Sequence, residues 1–266
     1  MSDFGFFDIG GGIKMREEPA RDACFKVVRT EAEMEQHSGF DEVSRREMVH
    51  RHMSNEITSL DIAAQCLVDF QDTPWALRME LARQCWDEAR HVRVLHRRLL
   101  EMGGRKGEFP ISTFEWSVTC AIDNLAGRLA TQNRTFEAGA MDVVAGLIAS
   151  VREAGDAKTA DVLDGILADE VQHVRFANRW IKKMVADDRR VLFRVAQAIR
   201  FLADANARLF AMNNDPSAAP ASPEQNIPAV NIADRRLAEF SEDEVQEILR
   251  QAGFRSIIPD AREHTV

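Results

Sequence analysis

Glu88-Ala89-Arg90-His91 and Glu170-Val171-Gln172-His173 are the stretches whose residue types and spacing can do chemistry. Residues three apart on a helix share a face, so each Glu-x-x-His pair turns one carboxylate and one imidazole toward a common point. A further glutamate precedes each pair by nearly the same distance, about a helical hairpin's length: Glu56 before the first and Glu137 before the second. The chain therefore reads as a repeated unit, Glu56 with Glu88 and His91, then Glu137 with Glu170 and His173. One Glu-x-x-His is common by chance; two copies, each preceded by a glutamate on an apolar face, are a strong pattern. Six such ligands can hold two metal ions.

The chemistry explains why these residues belong together. Four carboxylates buried without compensation would cost several kcal/mol per ion, comparable with the whole stability of a domain. Two divalent cations neutralise four glutamates while both histidines stay uncharged. Oxygen ligands with one imidazole per metal suit iron or manganese better than copper or structural zinc. Asp87 and Asp169, each next to a motif glutamate, are candidates to accept the distal N–H of a ligating histidine; an ordinary exposed helix acid is the equal alternative. His52 lies one turn before Glu56 and is a candidate ligand or proton donor, with a plain polar core residue as the default. His37, His50, His96 and His264 have no comparable placement. Trp86 and Trp180 adjoin the motifs; packing is their default role and electron transfer the alternative.

The elements that must position these groups are helices. The first runs from about Asp41 to Phe70, with Val49, Ile57, Leu60, Ala64, Leu67 and Val68 along one stripe that also carries Glu56. The second starts with Thr73 as N-cap and Pro74 at the first position and stops at Gly103-Gly104. Its stripe is Leu77, Leu81, Cys85, Glu88, His91, Val92, Leu95 and Leu99. Ser112 and Glu115 form a capping box for a third helical region that ends before Gly155. That region is long enough to predict a break between Gly127 and Asn133. Its second half aligns Asn133, Glu137, Ala140, Met141, Val144, Leu147 and Val151. Asp156 caps a fourth helix bearing Leu163, Ile166, Glu170, His173, Ala177, Ile181 and Met184. A fifth, from about Arg189 to Met212, carries no ligand-type residue and serves packing.

These readings give an all-α fold, an antiparallel four-helix bundle with an extra C-terminal helix, over residues 41–212. Residues 1–40 form an N-terminal arm with a Gly10-Gly11-Gly12 break, read as a strand pair or as an extended segment laid over the bundle. Residues 213–266 form a tail: Pro216, Pro220, Pro223 and Pro228 mark a linker, Ser241 and Glu244 open a short helix to about Gln251, and the end is extended. The glycine triplet is not followed by Lys-Ser/Thr, which argues against a phosphate loop.

Composition narrows the function. With 266 residues, 45% of them apolar, the chain can bury one substantial core. A net charge of −9 argues against a DNA or RNA partner. Arg90, Arg93, Arg97 and Arg98 read as solvated helix surface. No apolar stretch is long enough to span a bilayer, and no secretory signal is expected at the N-terminus. Cys24, Cys66, Cys85 and Cys120 show no C-x-x-C spacing; Cys66, Cys85 and Cys120 read as buried free thiols, and a cytoplasmic location is expected.

The string from Glu137 to Asn178 includes Phe-Glu-Ala-Gly-Ala-Met-Asp (136–142), Ala-Gly-Asp (154–156) and Asp-Glu-Val-Gln-His-Val (169–174). With the paired motifs, it resembles the ferritin-like di-iron carboxylate superfamily, in an uncharacterised bacterial branch, over residues 41–185. The resemblance implies two iron ions, with manganese–iron as a variant, and O₂ as co-substrate. It implies Glu56 and His91 on one metal, Glu137 and His173 on the other, and Glu88 and Glu170 bridging. The leading expectation is an oxidase or oxygenase acting on a C–H or N–H bond of a small organic substrate, with an electron-donor protein and a homodimer as partners. Ser59, Ala63, Asn133, Ala140 and Met141 are expected on the substrate side. The alternatives are a ferroxidase or iron-handling protein, a transfer-RNA-modifying hydroxylase, and a bundle whose metals only stabilise it. The chain has no tyrosine, which excludes a tyrosyl radical beside the metals.

Overall fold

The computed structural model describes residues 6–8, 14–16, 18–28, 34, 37, 40–213 and 229–251. The glycine triplet, the linker prolines, His264 and the extended end expected after Gln251 lie outside them. The fold is all-α, of the ferritin-like bundle class, with extra helices and extensions. It divides into two compact units, Met1–Gln132 with Leu192–Asn213, and Asn133–Val191 with Asn214–Val266. Among the described residues no helix is long and apolar enough to cross a membrane.

The first unit is built on a hairpin of α1 (Glu42–Asp69) and α2 (Trp75–Glu101) packed along their lengths. Asp41 caps α1, its carboxylate accepting from the Ser44 N–H at 2.8 Å. Thr73 does not cap α2: its hydroxyl donates to the Phe70 carbonyl at 2.6 Å, and Pro74 occupies the cap position. Gly103 ends α2 as expected, at φ +76°, the left-handed value that closes a helix C-terminus. The buried face of α1 runs through Val49, Met53, Glu56, Ser59, Ile62, Ala63 and Cys66. Val68, expected on the stripe, is 52% exposed. Neighbouring elements account for the shift: α3 (Phe114–Cys120) packs against α1, and Arg128 of α4 (Leu125–Thr131) pairs with Asp69 near the C-terminal end of α1.

Thr113, not Ser112, takes the cap position of α3; Ser112 Oγ accepts from the Phe114 N–H at 3.2 Å. The helix break falls at Ala121–Asn124, earlier than expected, because Asn124 caps α4 by accepting from the Gly127 N–H. Short strands join the arm: β1 (Phe6–Asp8) pairs antiparallel with β2 (Lys14–Arg16), and β3 (Val27–Val28) pairs parallel with β4 (Ile111–Ser112). The partner of β3, beyond α2, was not foreseen. α7 (Val191–Asn213) lays Ala198 close to Gly127 of α4.

The second unit opens with a π turn (Gln132–Glu137, from its second residue), followed by α5 (Ala138–Glu153) and α6 (Ala157–Asp187), which pack as another hairpin. Gly155 at φ +79° closes α5, and Asp156 caps α6 by accepting from the Thr159 N–H at 3.1 Å. Two short helices, α8 (Ile232–Leu237) and α9 (Glu242–Gln251), complete the unit. α9 has the expected capping box: Ser241 N–H donates to Glu244, and Glu244 N–H donates to Ser241 Oγ. α8 was not expected. Arg235 of α8 is buried, donating to Asp142 at 2.6 Å and to the Ala138 carbonyl at 3.2 Å, while the Asn231 N–H donates to Asp142 at 2.8 Å. This cover widens the buried face of α5 toward Ala138 and Asp142, and leaves Ala140, expected on the inward line, exposed.

Candidate metal centre

In the first unit Glu56 comes from α1, and Glu88 and His91 from successive inward positions of α2. Their ligand atoms lie within 4.8 Å of one another. His91 Nδ1 is 3.2 Å from Glu56 Oε2 and 3.1 Å from Glu88 Oε2, and Glu88 and His91 are both 0% exposed. In the second unit the π turn ends on Glu137, and α6 supplies Glu170 and His173; these ligand atoms also lie within 4.8 Å of one another. His173 Nδ1 is 3.3 Å from Glu170 Oε2. Both histidines turn Nδ1 toward the glutamate three residues earlier on the same helix face.

These distances fit a metal. Ligands about 2.1 Å from an ion in octahedral geometry stand about 3.0 Å from their neighbours, close to the nitrogen–oxygen separations in each half. Each half carries two carboxylates and one imidazole, so one divalent ion balances its charge. The protein thus has two buried Glu/His clusters of the kind that hold a di-metal cofactor such as di-iron.

Polar residues one turn earlier hold three of the glutamates. His52 Nε2 lies 2.6 Å from Glu56 Oε1, Gln84 Nε2 donates to Glu88 Oε1 at 3.3 Å, and Asn133 Nδ2 donates to Glu137 Oε2 at 2.8 Å. Burial alone would push the Glu56 carboxyl up. Hydrogen bonds from His52 and His91, the charge of His52 and a Glu88 contact outweigh it and hold Glu56 well below the usual carboxylate range. His52 thus touches a candidate ligand rather than standing apart from the cluster. Asn133, expected to face substrate, donates to Glu137 and also to the His173 carbonyl at 3.4 Å. Spacing four residues before each glutamate was the available signal for Gln84 and Asn133.

Asp87 is buried and accepts from Arg83 Nε at 3.2 Å and Arg90 Nη2 at 3.1 Å, so it is not an ordinary exposed acid; Asp169 is half-buried. Ser59 is buried and its hydroxyl accepts from Gln132 Nε2 at 3.0 Å; Ala63 and Met141 are buried as well. Trp86 is 65% exposed, because its helix step faces away from Glu88 and His91. It does not pack. Cys66 and Cys120 are buried, Cys85 is half-buried and Cys24 exposed.

A family model described as "Protein of unknown function (DUF455)" matches residues 9–246. The chain belongs to this ferritin-like family. The match takes in both hairpins, both clusters and α8. No curated protein and no solved structure matches the chain.

Proposed function

We propose that Glu56, Glu88, His91, Glu137, Glu170 and His173 form one dinuclear centre in a four-helix bundle spanning residues 41–212, and that the protein is a non-haem di-iron oxidase or oxygenase. The observation that carries this reading is the duplicated half-site: glutamate, then Glu-x-x-His, buried in each unit and backed by a hydrogen-bond donor. Each half neutralises one divalent ion, and oxygen-rich ligation favours iron or manganese. Bound iron would supply the reduction of O₂, with electrons from a donor protein and from a small organic substrate oxidised at a C–H or N–H bond.

The chain's own residues do the rest. Glu88 and Glu170 are the bridging candidates, and Glu56 and Glu137 the terminal ones. Ser59, Ala63 and Met141 offer small or apolar surface for the substrate side, and the buried α1–α2 and α5–α6 faces exclude bulk water. Asp87 and Asp169 remain proposed acceptors for the histidines' distal N–H groups. Work in the cytoplasm and as a homodimer belongs to the same proposal.

Protein purified without oxygen should contain two iron ions per chain and show, on exposure to O₂, the Mössbauer signature of an antiferromagnetically coupled diferric pair. Oxygen uptake should then depend on an added organic substrate and reductant. Uptake sustained by Fe(II) alone would favour iron handling instead, and a chain that binds no metal would end the reading.

A further inference from the structure

The donors behind Glu56 and Glu137 occupy the same place in the two halves, four residues before the glutamate. In the first, His52 Nε2 is 2.6 Å from Glu56 Oε1, while Glu56 Oε2 is the oxygen near His91 Nδ1. An ionised Glu56 only accepts, so this contact calls for a proton on His52 Nε2. The two oxygens of Glu56 are thereby divided, Oε1 toward His52 and Oε2 toward the His91 imidazole. In the second half Asn133 Nδ2 donates to Glu137 Oε2 at 2.8 Å, and its amide is also within 3.4 Å of the carbonyl of His173, itself a proposed ligand. The π turn makes this possible by carrying Asn133 and Glu137 together.

We infer that His52 and Asn133 are paired positioning residues that restrict Glu56 and Glu137 to binding metal through one oxygen each. The held oxygen is turned from the metal by its donor, so the carboxylate enters as a terminal ligand rather than a chelating or bridging one. This rests on the dinuclear reading and adds to it a binding mode and two residues outside the ligand set. It also makes the two metal positions unequal, since one terminal glutamate is held by an imidazole and the other by an amide. A carboxylate freed from its donor should close onto the metal with both oxygens and raise the coordination number.

Cobalt(II) is a suitable probe, because its visible ligand-field bands weaken and shift as coordination number rises. The full chain should bind two Co(II) ions. In His52→Leu, and separately in Asn133→Leu, the bands should change and one of the two ions should bind about tenfold more weakly or worse. His52→Gln, whose amide can still reach Oε1, should keep the wild-type spectrum. If leucine at 52 prevents folding, His52→Ala replaces it, with His52→Gln as the matched rescue. Two ions bound with unchanged spectra and affinities in the apolar variants would overturn the inference and leave the dinuclear reading standing, even if the metal-free variants melt earlier. Failure of the wild-type chain to bind Co(II) or Fe(II) would overturn both.

Discussion

Arg128 is among the largest fully buried side chains, although it is charged. Its guanidinium sits 2.5 Å from Asp69, donates to the carbonyls of Cys120 and Ile122, and lies over the Phe70 ring at 4.9 Å. One residue thus fastens the end of α1 to the α3–α4 turn. Replacing it with methionine leaves Asp69 buried without its cation, and should cost about 3–5 kcal/mol in a denaturant titration. Asp69→Asn should cost less, because the carbonyl bonds survive. Nothing in the sequence singled out this pair, because its partners lie far apart along the chain and follow no helical period. The six ligands could be read there because period and repetition both mark them. His50 was passed over for the same reason as Arg128. It is 0% exposed, stands edge-on to Phe25 and Phe109, and accepts from the Gly107 N–H at 3.0 Å. Burial pushes its pKa down, Glu108 and Glu47 oppose that, and Arg51 adds to it. The unfolded chain therefore takes up the proton first. Stability supplied by neutral His50 is complete above the unfolded pKa of about 6.5 and falls as pH drops through the folded value. His50→Phe should lessen the drop in urea midpoint between pH 7 and pH 5.

At the scale of elements, α8 and α9 show how a segment distant in sequence secures the ligand-bearing helices of its unit. Arg235 and Asp142 are both buried, and their pairing fixes α8 one turn from Glu137. Arg235→Ala should destabilise by about 3–5 kcal/mol, whereas exchanging both partners for apolar residues of similar volume should cost much less. The end of α8 carries a different balance. Glu239 adopts φ +66°, where glycine is the usual residue, and accepts from Arg175 and Arg179. Those arginines hold its carboxyl down to about 2, so their contribution is present above its ordinary pKa of 4.5 and disappears as pH falls through about 2. Half-exposed pairs are worth about 0–1 kcal/mol and the left-handed backbone costs about 1–2 kcal/mol. Glu239→Gly should thus leave the melting temperature nearly unchanged, and Glu239→Ala, which keeps the strain and loses the pairs, should lower it. Helix starts and stops at Asp41, Gly103, Gly155 and Asp156 could be anticipated from residue type. The one-sided drift of the α1 and α5 faces could not, because it depends on which later segment covers them.

For the whole molecule, folding and metal binding should be linked. Buried glutamates that lack their cation repel one another, and an ion that binds only the folded chain stabilises it by about 2.7 kcal/mol at a hundred times its Kd. Iron or cobalt should therefore raise the melting temperature, and a chelator should reverse the gain; Glu88→Gln or Glu170→Gln should shrink it. Contacts from the C-terminal helices set a further condition on handling the protein. Asp142 and Asn178 receive backbone and side-chain partners from Asn231, Arg235 and Ala238. A version cut back after Asn213 would keep every proposed ligand in its sequence and still leave these interior groups unmatched. Such a version should precipitate or yield quickly to protease, so expression trials need to run at least through Gln251.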